Sequence, residues 1–294
     1  MPTRTVSATP TLAPSPTPTP QPPAAVLLVA PDAEAWRAPA AAWLEALAQA
    51  QGYRFVVVAP EQPLPPHTVV AVGVGVVPPT TEEARRLVLA LPPEADAAGA
   101  QVLRPGAAAP EARAFLAGEI AVLITEDWRA GLVGVEDEQN LAQAFTDGGR
   151  YFCGLCRPLH PPFVAYPQYA LAPANASAEE WGATVARLRQ AGVTTFALTP
   201  AALQAYQAGT LTLPTNAQII ALDAVDGDGE GENFIAAVAP DVAAGLDALW
   251  AHPETQEALL PVRVQVFDPA VLTPGKQRVV EETRALLEEG LVEP

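Results

Sequence analysis

Residues 110–135 read PEARAFLAGEIAVLITEDWRAGLVGV. The first part predicts a helix over 110–124, with Phe115, Leu116, Ile120 and Leu123 recurring at helical spacing on one face. The second part predicts a strand over 130–135, a short run apolar at every position. Strands of parallel sheets are covered on both faces and read as continuous apolar runs, so a helix leading into such a strand is the unit of an α/β protein.

The same alternation runs outward in both directions. Upstream, VLLVA at 26–30 is a strand ended by Pro31, and Trp36, Ala40, Trp43, Leu44 and Leu47 mark a helix ended by Gly52. Strands are predicted at 55–58, 69–74 and 101–103. A helix is predicted over 80–90, with Thr80 or Thr81 as cap and Glu82 and Glu83 in its first turn. Downstream, a helix over 141–145 closes at Gly148 and Gly149. Strands follow at 168–172, 195–198, 218–222, 234–238 and 262–266, with helices at 178–191, 201–206, 242–250 and 275–288. That is more strands than one small sheet holds, so two α/β lobes with mostly parallel sheets are expected. Ligands of parallel sheets sit beyond the carboxyl ends of strands. The loops after Ala30, Val74, Val135, Leu198 and Leu222 are therefore the candidate ligand loops.

Composition narrows the function. The chain has 294 residues, half of them hydrophobic, with 16 basic against 33 acidic residues and a formal net charge of −17. Such a chain is repelled by phosphate backbones, which argues against nucleic-acid binding. No apolar run reaches the roughly 20 residues of a membrane-spanning helix. Lys276 is the single lysine and no phosphate-binding G-x-x-x-x-G-K-[ST] loop is present. Past the N-terminal segment Ser177 is the only serine; it reads as a helix cap, and no G-x-S-x-G elbow exists. Catalysis is therefore disfavoured, and neither a cofactor nor a metal is expected. Residues 2–23, PTRTVSATPTLAPSPTPTPQPP, contain one charge, Arg4, and no apolar periodicity. They read as an extended polyproline-type spacer that holds a folded domain away from an anchor.

Several segments together resemble the basic membrane protein family of bacterial substrate-binding lipoproteins. They are EARAFLAG at 111–118 with the following EIAVLIT, RAGLVG at 129–134, Phe145-Thr146-Asp147-Gly148, IALD at 220–223, NFIAAVAPD at 233–241 and the closing GKQRVVEETRALLEEGLVEP. The resemblance spans the chain after the spacer, in order. It implies a type I periplasmic-binding-protein architecture, with two Rossmann-like lobes joined by three crossovers around a ligand cleft. It divides the chain into a tether over 1–23, a first lobe over 24–126 plus 233–262, and a second lobe over 127–232 plus 263–294. It also implies a small-molecule ligand, purine nucleoside-like in the better-understood members, and an ABC-type permease as partner. The expected form is a monomer outside the cytoplasm, touching the membrane only through a lipid anchor that this sequence lacks.

The family's first ligand loop reads like Asp-x-Ser-Phe-Asn; here it is PDAEAWR at 31–37. The resemblance places Asp32 near the family's aspartate, puts Trp36 in place of the stacking aromatic ring, and puts Arg37 where an asparagine stands. Arg37 suits a carboxylate or phosphate by bidentate pairing. Asp223 matches an aspartate that accepts hydrogen bonds from ribose hydroxyls, and Thr199-Pro200 replaces a glycine-rich segment. Each residue also has a plainer reading: Trp36 and Trp43 as core residues, Asp32 as an N-cap. The acids of DGDGEGE at 226–232 lack the spacing of a calcium loop and read as a solvated turn. Cys153 and Cys156 have disulfide-forming spacing in an oxidising compartment. The loss of the serine and asparagine also suits a second function, a surface interaction or sensor module without a transport ligand.

Overall fold

A computed structural model describes residues 21–81, 83–90, 96–153, 161, 163–225 and 233–294; for Asp32, Glu34 and Ala35 it describes the backbone alone. The spacer up to residue 20 and the acidic DGDGEGE segment therefore lie outside the described residues.

The first sheet is built from β1 (Ala24–Val29), β2 (Arg54–Val58), β3 (Thr68–Val74), β4 (Arg85–Leu89), β5 (Gln101–Arg104) and a late strand, β11 (Glu257–Leu259). Their spatial order is β11-β5-β4-β3-β1-β2, and every pairing is parallel. The second sheet holds β6 (Ala130–Val135), β7 (Gln168–Ala172), β8 (Thr195–Leu198), β9 (Gln218–Ala221), β10 (Phe234–Pro240) and β12 (Val262–Val266). Its order is β12-β10-β9-β8-β6-β7, parallel except for the antiparallel edge strand β12. Both sheets repeat one winding: the second strand lies outside the first, and the third, fourth and fifth follow on the other side. In such a sheet the strand order reverses between the first and third strands, β1/β3 in one sheet and β6/β8 in the other. Ligands bind beyond the carboxyl ends at these switch points.

The helices are α1 (Arg37–Gln51), α2 (Pro110–Ile124), α3 (Gln139–Cys153), α4 (Ala178–Gln190), α5 (Pro200–Gln207), α6 (Val242–Ala251) and α7 (Pro274–Glu288). α1 and α6 cover one face of the first sheet around Leu27, Val70, Val72, Leu44 and Leu246. Its other face buries Val26, Leu28, Ala71, Val88 and Val102 beneath loops. Among the described residues the segments after β2, β3 and β4 carry no helix, and they are rich in proline: Pro60, Pro63, Pro65, Pro66, Pro78 and Pro79. The second sheet lies between α2, α3 and α7 on one face and α4 and α5 on the other.

Three expectations are corrected. The helix expected over 80–90 does not form at 85–89: the RRLVL of β4 fills the slot between β3 and β5, with Leu87, Val88 and Leu89 fully buried. The cap signal is real but local, since the Ala84 N–H donates to Thr81 Oγ1 (3.0 Å) in a turn that leads into the strand. Gly148 and Gly149 do not close α3, which runs on to Cys153. They bring α3 against α2: a Cβ at Gly148 would lie 1.9 Å from the Phe115 carbonyl oxygen, and one at Gly118 1.9 Å from that of Phe145. Finally, α2 packs on the second sheet and β10 belongs to it, so 110–124 and 234–239 do not fall in the first lobe.

Three crossovers join the sheets, near residues 105–109, 240–241 and 260–261. They lie side by side. The Leu260 N–H donates to the Arg104 carbonyl (2.6 Å), and the Asp241 N–H donates to the Pro261 carbonyl (2.9 Å). In the first crossover a single turn, Gly106–Ala108, divides its side chains: Ala107 packs in the core of the second sheet and Ala108 in that of the first.

Candidate functional site

The chain leaves β1 into a tight turn over Pro31–Trp36 and enters α1 directly. This turn packs beside β3, and the Ala30 N–H donates to the Val74 carbonyl (2.9 Å), so it sits at the first switch point. Trp36 is half-buried there, its ring packed against the core beneath α1. Arg37, the first residue of α1, is exposed. Asp32 falls within the same turn, its side chain outside the description. Trp43 is a core residue; its indole Nε1–H donates to Asp247 Oδ1 (2.7 Å) on α6, and its ring meets Trp250 edge-on.

At the second switch point a turn over Glu136–Glu138 follows β6. The Glu138 carboxylate accepts from the Val135 N–H (3.0 Å) and from the Thr199 hydroxyl beyond β8. Thr199 in turn caps α5 by accepting from the Ala202 N–H, with Pro200 in the first turn of that helix. The Thr199-Pro200 pair thus starts a helix at the carboxyl end of β8.

Asp223 lies just past β9, its side chain 45% exposed. Its Oδ1 accepts from the Ala224 N–H (2.8 Å) and sits 3.9 Å from Arg113 Nη1. Arg113 was not among the residues the sequence singled out. It stands in the first turns of α2 and is 5% exposed. Its Nε donates to the Ala108 carbonyl in the first crossover (3.2 Å), and its Nη1 donates to the Leu222 carbonyl at the carboxyl end of β9. Burial pushes the guanidinium pKa down, while Asp223 and Glu111 pull it back up. The sequence did carry a signal, since Arg113, Leu116 and Ile120 share one helical face and put a charge on an apolar stripe.

Arg113 fixes the geometry between the sheets. The first crossover leaves the carboxyl end of β5, and Arg113 binds it to the carboxyl end of β9. The carboxyl ends of both sheets thereby face one junction. Trp36 and Arg37 come from the first lobe, and Arg113 and Asp223 from the second. The second lobe's share is rich in acceptors: Glu136, Asp137, Glu138 and Asp223 all lie at the carboxyl ends of its strands.

The cavities described lie elsewhere. One of about 310 Å³ is lined by Arg129, Arg189, Thr194 and Asn216, and another of about 420 Å³ by Thr125, Glu126, Gln218 and Lys276. Both open at the amino ends of the second sheet's strands, opposite the switch points. None of the five cavities described is lined by Trp36, Arg37 or Asp223. Cys153 ends α3 and is disulfide-bonded; Cys156, the only other cysteine, lies outside the described residues.

The structure is similar to that of a transcriptional activator of the comK gene from Bacillus halodurans, at 11% identity and a TM-score of 0.62, covering 92% of this chain and 99% of that one. It is also similar to an ABC transporter solute-binding protein from Conexibacter woesei, at 13% identity and a TM-score of 0.56, covering 92% of this chain and 98% of that one. The fold is that of the type I periplasmic-binding proteins. No family model and no curated protein matches the sequence. No helix among the described residues is long and apolar enough to cross a membrane.

Proposed function

We propose that this protein is a non-catalytic solute-binding protein of the basic membrane protein type. It holds a small polar ligand between its lobes outside the cytoplasm and presents it to an ABC-type permease. The Pro/Thr-rich N-terminal segment serves as the tether to a lipid anchor, and the protein acts as a monomer. The observation that carries the reading is the Arg113 junction, where the first crossover is bound to the carboxyl end of β9 beside the half-exposed Asp223, with the Trp36 turn at the switch point of the other sheet. In this reading Trp36 stacks on the ligand, Asp223 and Asp32 accept from its hydroxyls, and Arg37 closes the rim. The excess of acceptors on the second lobe favours a neutral, hydroxyl-rich ligand such as a nucleoside over an anion, because carboxylates repel negative charge and accept from hydroxyls.

A thermal-shift panel of nucleosides, bases, sugars and amino acids tests this. A ligand that binds only the folded state at about a hundred times its Kd stabilises it by about 2.7 kcal/mol. The expected result is a rise in Tm with nucleosides that is lost in Trp36→Ala and reduced in Asp223→Asn. No shift with any compound would sink the transport reading.

One observation favours a second reading. The described cavities avoid the switch points, and Glu138 and Asp223 are already engaged by this chain's own backbone and side chains. That arrangement suits a surface interaction or sensor module that keeps the scaffold without a transport ligand.

A further inference from the structure

Glu119 stands in the middle of α2, 1% exposed, at the seam with the C-terminal helix α7. Its Oε1 accepts a hydrogen bond from the hydroxyl of Thr283 on α7 (2.9 Å), and Thr283 is itself 4% exposed. Its Oε2 has no hydrogen-bond partner. A buried carboxylate with one bare oxygen is costly when charged and tolerable when protonated.

Among the described residues no cation compensates it: the Glu126–Trp128 turn, which packs on α2, carries only the carboxylates Glu126 and Asp127, and Asp127 pairs with Arg129 (3.2 Å). On α7, Arg284 pairs with Glu281 and Glu288 along the outer side, and Lys276 donates to the Val271 carbonyl (3.0 Å). On α3, Asp147 pairs with Arg150. The Gly106–Ala108 turn and strands β6, β8, β9 and β10, which also pack on α2, contain no charged residue. On α2 itself, Arg113 is committed to Ala108, Leu222 and Asp223, and Glu111 to Asn140. Burial accordingly raises the Glu119 pKa to about 7, with the Thr283 hydroxyl as the one opposing influence.

The docking of α7 is lean. Its buried residues are Val280, Thr283 and Leu287. A void of about 60 Å³ lies under it, lined by Val264, Val266, Leu272, Gln277, Val280 and Glu281. α7 touches both α2 and the Gly106–Ala108 crossover turn.

We propose that Glu119 makes the docking of α7 onto α2 and the first crossover depend on pH: the helix is held while the carboxyl is protonated and loosens once it ionises. Below pH 4.5 the carboxyl is protonated whether α7 is docked or not, so docking is at full strength. Between 4.5 and about 7 an undocked Glu119 ionises and the docked one does not, so docking weakens as pH rises. Above about 7 both forms are ionised and the loss is complete. A shift of this size weakens docking on the order of a hundredfold. The inference does not rest on the ligand reading.

Hydrogen exchange of the whole chain at about pH 5 and about pH 8, corrected for the intrinsic chemistry of exchange, reads this directly. The expected result is that protection of α7 amides falls on the order of a hundredfold while α1 is unchanged. In Glu119→Gln the pH difference disappears. Equal protection at both pH values, or the same fall in Glu119→Gln, overturns the proposal. Should Glu119→Gln not fold, Thr283→Val serves. It removes the donor that favours the ionised form, so the midpoint of loosening moves to higher pH, and an unmoved midpoint overturns the proposal.

Discussion

Arg113 ties α2, the first crossover and the carboxyl end of β9 together. A buried guanidinium is tolerated where its donors are matched, and here they meet two backbone carbonyls from different segments and a carboxylate. Replacing it with Met keeps the apolar stem but leaves the Ala108 and Leu222 carbonyls without this donor. Arg113→Met is expected to lower unfolding free energy by about 2–3 kcal/mol in urea titration. Lysine should not rescue it, because one ammonium cannot span the two carbonyls with the planar fork of arginine. A loss under about 0.5 kcal/mol would show that the link between crossover and β9 is held by other contacts. Asp223, half-exposed and 3.9 Å away, contributes far less to stability.

The helices show why a glycine must be read in its tertiary setting. In α3, Gly148 looks like a stop signal, yet it is an approach site where the α2 backbone comes too close for a methyl group. In α4, Gly182 has nothing within 4 Å of where its Cβ would be. Gly148→Ala should therefore destabilise by about 3 kcal/mol or more, because backbone must shift. Gly182→Ala should stabilise by up to about 1 kcal/mol through helix propensity alone. Chemical denaturation of the two variants side by side checks both, and a reversed order would show that α2 and α3 do not approach as described. Capping, by contrast, is local. Ser177 begins α4 with a full capping box, its side chain and that of Glu180 each accepting from the other's backbone N–H. The same kind of signal at Thr81 precedes a strand, because Leu87, Val88 and Leu89 gain more from burial on both faces between β3 and β5 than a helix would offer them.

At the scale of the whole molecule, two sheets of one winding are tied by three adjacent crossovers and turn their carboxyl ends to a common junction. Two lobes joined this narrowly can close by small changes in a few crossover residues. A compound that raises Tm should therefore also reduce the radius of gyration in small-angle scattering. Binding without compaction would mean that the ligand sits on one lobe alone. Among the described residues the first lobe departs from a fully helix-flanked sheet. Its second apolar face is closed by short proline-rich loops, where prolines disfavour the helices that usually fill such connections.

The sequence by itself determined the alternation of strands and helices, because period and apolar run length are local properties of the chain. α2, β6, β7, β8 and β12 occupy the residues that their patterns predict. It also marked the carboxyl-end loops where Trp36, Arg37 and Asp223 stand. Only the tertiary structure decided that β4 is a strand, that Gly148 is an approach site, that α2 and β10 join the second lobe, and that Arg113 and Glu119 are buried charge-bearing groups. Each of these depends on what another segment, distant in sequence, places against the residue. A pattern of 3.6 or 2 can show that a face is buried but not by what, and sheet membership, close approach and desolvation are set by that partner.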